Sequence, residues 1–191
     1  MADPTGVPEE AETPLPVEAE RLLHAAGAPP RLLAHARLVC GTAARLLDLL
    51  ERRRPGLGAD RGAVLFGAAV HDIGKTVHPA ELTAPGHLHE RAGEELLTGL
   101  GVPAHLARFC RTHGDWDRDG VPLEDLLVAL ADKVWKGARV EALETRVVRT
   151  AAAAHALPAW EVFAELDDVL SELASGAEER IAYQTRHPAA R

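Results

Sequence analysis

The run Arg61-Gly62-Ala63-Val64-Leu65-Phe66-Gly67-Ala68-Ala69-Val70-His71-Asp72-Ile73-Gly74-Lys75 carries no polar residue between Val64 and Val70. A helix apolar all round is one that the fold buries. The pattern predicts such a helix over 61–73, with Asp60 as its N-cap and Gly74 as its C-cap glycine. His71 and Asp72 close it. An imidazole and a carboxylate at the end of a buried segment are costly unless they are paired or bind a cation. Taken alone, the dyad is explained equally well by a His–Asp hydrogen bond that locks two helices.

Outward from this run the chain is helical in every direction. Before it, Leu32, Leu33, Ala36, Val39, Cys40, Ala43, Leu46, Leu47 and Leu50 keep the 3.6-residue period, which predicts a helix over 31–53. A shorter helix over 17–26 ends at Gly27-Ala28-Pro29-Pro30. After it, a short turn is expected over 79–82, amphipathic helices over 89–100 and 103–112, and a polar, Asp-rich loop over 114–121. A second strongly apolar helix follows over 123–136, then helices over 141–157 and 159–174 and a charged, frayed one over 177–191. No strand-like alternation and no internal repeat occurs. The expectation is an all-α, single-domain helical bundle over 15–191, with a motif core at 31–140 and C-terminal helices at 141–187. Residues 1–14, rich in Pro, Glu and Thr, read as a disordered tail.

Bulk properties narrow the function. The chain has 191 residues and a formal charge of -8, which disfavours an extended nucleic-acid interface but permits a local basic pocket for one phosphorylated small molecule. Cys40 and Cys110 form no CxxC pattern, no signal-like N-terminus is present, and no run of about 18 apolar residues exists. A cytoplasmic protein with no membrane span is expected. The sequence leaves the oligomeric state open, a homodimer included.

Ten histidines are present, and several face inward. His35 lies on the apolar face of its helix. His89 starts the face Ala92, Leu96, Leu100, and His113 ends the face Val102, Leu106, Phe109. Asp132 interrupts the run Leu126-Leu127-Val128-Ala129-Leu130-Ala131. Any one of these is read more simply as a core residue satisfied by a hydrogen bond. Together with His71 and Asp72 they are six metal-ligand types on five helices that share one core. Four His and two Asp suit Fe, Mn, Zn, Co or Ni better than Ca.

The order His35, His71-Asp72, Asp132 resembles the H…HD…D signature of the HD superfamily, and His71-Asp72-Ile73-Gly74-Lys75 matches its HDIGK form letter for letter. His89-Glu90-Arg91-Ala92-Gly93 with Leu96-Leu97 resembles the HxxxG…LL segment of the dinuclear H…HD…H…H…D branch. His113 stands where that branch has its other extra histidine, and Ala131-Asp132-Lys133 resembles the closing AD(K) segment. The resemblance covers about 35–136. The loop over 112–122 is similar to a worn HHE…DG.GYP signature of HD-GYP cyclic-dinucleotide phosphodiesterases. Thr112 replaces a histidine and Val121 a tyrosine there, so cyclic di-GMP is not supported as substrate.

The resemblance implies a metal-dependent phosphohydrolase that cleaves a phosphomonoester or phosphodiester of a nucleotide-like small molecule with a metal-bridged hydroxide. His35, His71, Asp72 and Asp132 would hold one divalent transition metal. Asp72 would bridge to a second, held also by His89 and His113. Iron or manganese come first as cofactors, then Co, Ni or Zn. Asp72 and Lys75 are the expected catalytic residues, with Lys75 on a phosphate oxygen and Lys133 as a further phosphate contact. Lys136 and Arg139 could line the pocket mouth but read more simply as a solvated rim. Trp116 would cover the pocket or stack on a base, unless it merely packs. His24, His78, His87, His105, His155 and His187 receive no role. The six-ligand set also fits mixed-valence di-iron oxygenases that cleave C–C or C–P bonds, and a non-catalytic nucleotide-binding module is the third reading.

Overall fold

The computed structural model describes residues 6–56 and 58–190. Every regular element among them is helical: α1 (Glu9–Glu12), α2 (Val17–Ala25), α3 (Pro30–Arg53), α4 (Arg61–Val70), α5 (Leu88–Gly99), α6 (Ala104–Ala107), α7 (Phe109–Thr112), α8 (Leu123–Val134), α9 (Glu141–His155), α10 (Ala159–Ala174) and α11 (Ala177–Thr185). Two 3₁₀ turns, Ile73–Thr76 and Pro79–Leu82, lie between α4 and α5. Among the described residues no helix is long and apolar enough to cross a membrane. The all-α expectation agrees with this architecture.

The central element is α3. Pro30 starts it at a position where a missing N–H costs nothing. It packs against α1, α4, α8, α10 and α11. Next to it, α4 buries Val64, Phe66, Gly67, Ala68, Ala69 and Val70, and α8 buries every residue from Asp125 to Asp132. The Asp60 carboxylate caps α4 as expected, accepting from the Ala63 N–H at 3.0 Å. These three apolar helices form the core into which the inward polar residues project.

Local structure departs from the sequence pattern in four places. First, α4 ends at Val70, short of the expected 73, and Ile73–Thr76 tightens into a 3₁₀ turn. Gly74 does not adopt the left-handed conformation of a C-cap glycine. A Cβ there would lie 2.0 Å from the His89 carbonyl oxygen and 2.5 Å from the Gly93 nitrogen. Gly74 is therefore what allows α5 to approach. Second, the expected helix over 103–112 is divided at Arg108. Its guanidinium takes the His105 carbonyl and clamps the fully buried Asp125 carboxylate at 2.7 to 3.1 Å. Third, α5 buries His89, Gly93 and Leu97 rather than the expected stripe, and Leu100 is 45% exposed.

The fourth departure is at the N-terminus, expected to be a disordered tail through residue 14. Residues 1–5 of that stretch, and Arg191 at the other end, lie outside the described residues. Residues 9–12 form α1, packed on α3 so closely that a Cβ at Gly41 would meet the Glu10 carbonyl oxygen at 2.1 Å. The Glu10 carboxylate is buried and accepts from Arg45 Nη1 and Arg180 Nη1, both at 2.8 Å. Arg180, from α11, is only 1% exposed. It also donates Nε to the Trp135 carbonyl at 2.6 Å and Nη2 to the Leu173 carbonyl at 2.5 Å. A composition that favours disorder is opposed by two ion pairs of Glu10, one of them across 170 residues of sequence.

Removing one partner of a buried ion pair leaves the other charge uncompensated, at a cost of about 3 kcal/mol or more. Arg180→Met is expected to destabilise the fold by that amount in urea unfolding, since Glu10 is left with Arg45 alone and the Trp135, Val134 and Leu173 carbonyls lose their donor. A midpoint within experimental error of the wild type would refute this role for the Glu10–Arg180 pair.

Candidate metal centre

Five parts of the chain deliver six polar side chains to one point. His35 comes from α3, His71 and Asp72 from the turn that ends α4, His89 from the first turn of α5, His113 from the end of α7, and Asp132 from α8. All six are between 1% and 7% exposed. They are the six residues singled out as ligand types in the sequence, and the fold brings all of them together.

Asp72 is the hub. Its Oδ2 lies 3.1 Å from His35 Nε2 and 3.7 Å from His71 Nε2. Its Oδ1 lies 3.0 Å from His89 Nε2 and 3.8 Å from His113 Nε2. The ligand atoms form two groups, His35–His71–Asp72 and Asp72–His89–His113, each within 4.8 Å. Asp132 Oδ1 stands beside the first group, 3.5 Å from His71 Nε2 and 3.8 Å from His35 Nε2. Two lysines close the hub from outside: Lys75 Nζ donates to Asp72 Oδ2 at 2.6 Å, and Lys133 Nζ to Asp132 Oδ2 at 2.8 Å.

The outer ring nitrogens set the inner ones. His71 Nδ1 donates to the Ala68 carbonyl at 2.9 Å and His113 Nδ1 to the Phe109 carbonyl at 3.3 Å. A carbonyl only accepts, so each Nδ1 carries a proton, and a neutral ring would turn its Nε2 lone pair inward. His89 Nδ1 is 2.5 Å from Glu81 Oε2, and the same carboxylate accepts the backbone N–H groups of Leu88 and His89 at 3.1 Å. Glu81 thus fixes the His89 ring, as a carboxylate behind a metal-ligating histidine would.

For four of the six residues the electrostatics favour the form a cation requires. Burial pulls His35 below the usual imidazole range, and burial with the nearby His71 ring pulls His113 down to about 3. Burial alone would raise Asp72, but His71, His35 and His89 outweigh it and hold the carboxyl well below its usual range. Asp132 is held low in the same way by His71 and Lys133. Burial opposes protonation of His89, yet Asp72 and Glu81 raise it.

The geometry leaves unmet demands that a cation would meet. His35 Nε2 and His71 Nε2 face each other at 3.3 Å. His89 Nε2 is buried and lacks a hydrogen bond, because Asp72 Oδ1, although close, is out of alignment. Inward lone pairs, ionised carboxylates and an orphaned buried nitrogen fit metal ions, and each of the two groups could hold one.

A cavity of about 480 Å³ opens onto the cluster, with Lys75, Lys133 and the half-buried Trp116 in its wall. Three features of the site escaped the sequence pattern. Glu81 sits in the expected turn over 79–82, but nothing in the sequence places its carboxylate against His89. Trp135 packs edge-on against the His35 ring at 5.1 Å. Arg31 lines the cavity, and so does Lys136, which reads in sequence as part of a solvated rim. Arg139 does turn away, bound to Glu144 and Asp167. His87 reaches the cavity mouth but bonds to Glu90 at 3.2 Å.

Residues 32–135, more than half of the chain and inclusive of all six ligand types, match the family described as HD domain. No curated protein and no solved structure matches the chain.

Two outcomes follow from this geometry. Glu81→Ala is expected to weaken manganese binding to the metal-free protein about 10- to 100-fold, read by calorimetry; unchanged affinity would refute the orienting role. The second concerns pH. His35 and His113 hold fewer protons folded than unfolded below the ordinary imidazole value of 6.5. Stability of the metal-free protein should therefore fall as pH drops from about 6.5 towards 3, with Asp72 and Asp132 adding to the loss below their ordinary 3.8. His89 acts the other way, since its raised value favours the fold below 6.5 and loses that contribution above. Urea midpoints across this range should decline on acidification, and less steeply in His113→Gln.

Proposed function

The chain belongs to the HD-domain family, and we propose that it is a metal-dependent phosphohydrolase that cleaves a phosphomonoester or phosphodiester of a nucleotide-like small molecule. The observation that supports this most is the position of Asp72. One carboxylate serves two ligand groups and, at 2.6 Å, fixes the ammonium of Lys75. His35, His71, Asp72 and Asp132 would hold one divalent transition metal, and Asp72, His89 and His113 a second. Iron or manganese suit the mixed His/Asp donor set best. Such ions supply a water of lowered pKa and a clamp for phosphoryl oxygens.

The chain's own residues do the rest. Asp72 and Asp132 are held ionised, so they offer ligand oxygens without first losing a proton. Lys75 stands at the cavity wall with its amine already at the hub, where it neutralises charge that grows on a phosphoryl oxygen. Lys133 occupies the matching place at Asp132. Leu82 and Trp116 give the cavity an apolar side suited to the organic part of a substrate.

Protein purified with and without air should contain transition metal by elemental analysis. It should release phosphate or nitrophenol from generic monoester or diester substrates with Mn, Fe, Co or Ni. Asp72→Ala should lose metal and about a thousandfold in rate. Two equivalents of iron with substrate-dependent oxygen uptake and no phosphate release would replace the hydrolase reading by an oxygenase one. Negligible metal under all conditions would remove both.

A further inference from the structure

The cavity is lined by four cationic side chains, which fall into two tiers. The inner tier is Lys75 and Lys133, whose amines contact the Asp72 and Asp132 carboxylates. The outer tier is Arg31 and Lys136. Arg31 precedes His35 by four residues on α3, and Lys136 follows Asp132 by four residues just past α8. Each therefore stands about one helical turn, roughly 6 Å, beyond a candidate ligand.

Among the described residues the outer tier has no counter-charge. Arg31 donates Nε to the His187 carbonyl at 3.1 Å and Nη2 to the Thr185 carbonyl at 3.4 Å. These neutral acceptors orient the guanidinium and leave its charge uncompensated. Lys136 has no ion pair or hydrogen bond among the described residues. Arg54, Arg108 and Arg139, by contrast, are each clamped to carboxylates. The other acid at the cavity, Glu90, is bonded to His87. Two uncompensated cations facing one cavity, in a chain of formal charge -8, are a site for an anion. The planar fork of arginine suits phosphate oxygens in particular.

We propose that Arg31 and Lys136 form a second phosphate subsite, and that the substrate is an organic diphosphate or polyphosphate rather than a simple monophosphate. This rests on the phosphohydrolase reading, which puts the reacting phosphoryl group at the inner tier. The next phosphate along the substrate then meets the outer tier. The C-terminal segment takes part in building this subsite. The carbonyls that aim Arg31 belong to Thr185 and His187, and Gln184 of α11 lines the same cavity.

The test uses full-length protein loaded with manganese and freed of excess metal, titrated calorimetrically with pyrophosphate and with orthophosphate, with bound metal measured after each titration. Pyrophosphate should bind about tenfold more tightly than orthophosphate. Lys136→Ala and Arg31→Gln should each reduce that ratio roughly fivefold, and Arg31→Lys should reduce it less, because charge remains without the fork. Equal wild-type affinities, or a ratio unchanged in Lys136→Ala, would overturn the subsite; Lys136 is exposed, so this variant decides the matter even if Arg31 variants fold poorly. The hydrolase reading is checked separately on the same preparation with p-nitrophenyl phosphate, bis(p-nitrophenyl) phosphate and pyrophosphate. Absence of turnover of all three alike, with any metal, would overturn that reading while the affinity ratio still decides the subsite.

Discussion

An ionised carboxylate in a protein core costs several kcal/mol unless charge and hydrogen bonds compensate it. Asp72 is 4% exposed and held well below the usual carboxyl range, and much of the architecture can be understood as compensation for it. The apolar α4 carries it inward. Gly74 removes the side chain that would keep α5 away, which lets His89 reach Oδ1. His113 arrives from α7, His35 from α3, and Lys75 folds back along its own 3₁₀ turn. Yet the compensation is incomplete. Two buried imidazole nitrogens, His35 Nδ1 and His89 Nε2, make no hydrogen bond. The arrangement is better suited to a cation than to its own protons.

A second layer holds this cluster from behind. Trp135 packs its indole edge against His35, and its carbonyl is held by Arg180. Arg180 is in turn neutralised by Glu10. The two ends of the chain, outside the span of the family match, therefore meet at the C-terminal end of α8. Arg31, at the start of α3, repeats the theme at the cavity mouth through Thr185 and His187. The terminal helices do not supply ligand types; they set the position of the helices that do.

This division explains what the sequence shows and what it hides. The 3.6-residue period of α3 and the unbroken apolar face of α4 are local properties, so the helices and the Asp60 cap are legible. The six ligand types are legible for a related reason: each interrupts or terminates an apolar run, and apolar runs share a core. Glu10 is not legible, since its acidic, proline-rich surroundings signal disorder and its partner is 170 residues away. Glu81 is hidden because only the fold places its carboxylate against His89. Gly74 is visible as a glycine, but its reason is the approach of α5, not a helix cap. Lys136 looks like any charge after a helix until the cavity is seen beside it.

The overall charge of -8 argues against a polyanionic polymer as ligand, but it says little about a small anion inside the cavity. Exposed charges are screened beyond about 8 Å at physiological ionic strength, so distant surface acids count for little there. Local charges count fully. Lys75 and Lys133 are matched by Asp72 and Asp132 only while those carboxylates have no other cation to bind. A cation held by Asp72 and Asp132 would compete with Lys75 and Lys133 for the same two carboxylates and would leave the cavity more positive. Metal occupancy would then favour an anion in the cavity through those two carboxylates, although no residue of the outer tier touches them.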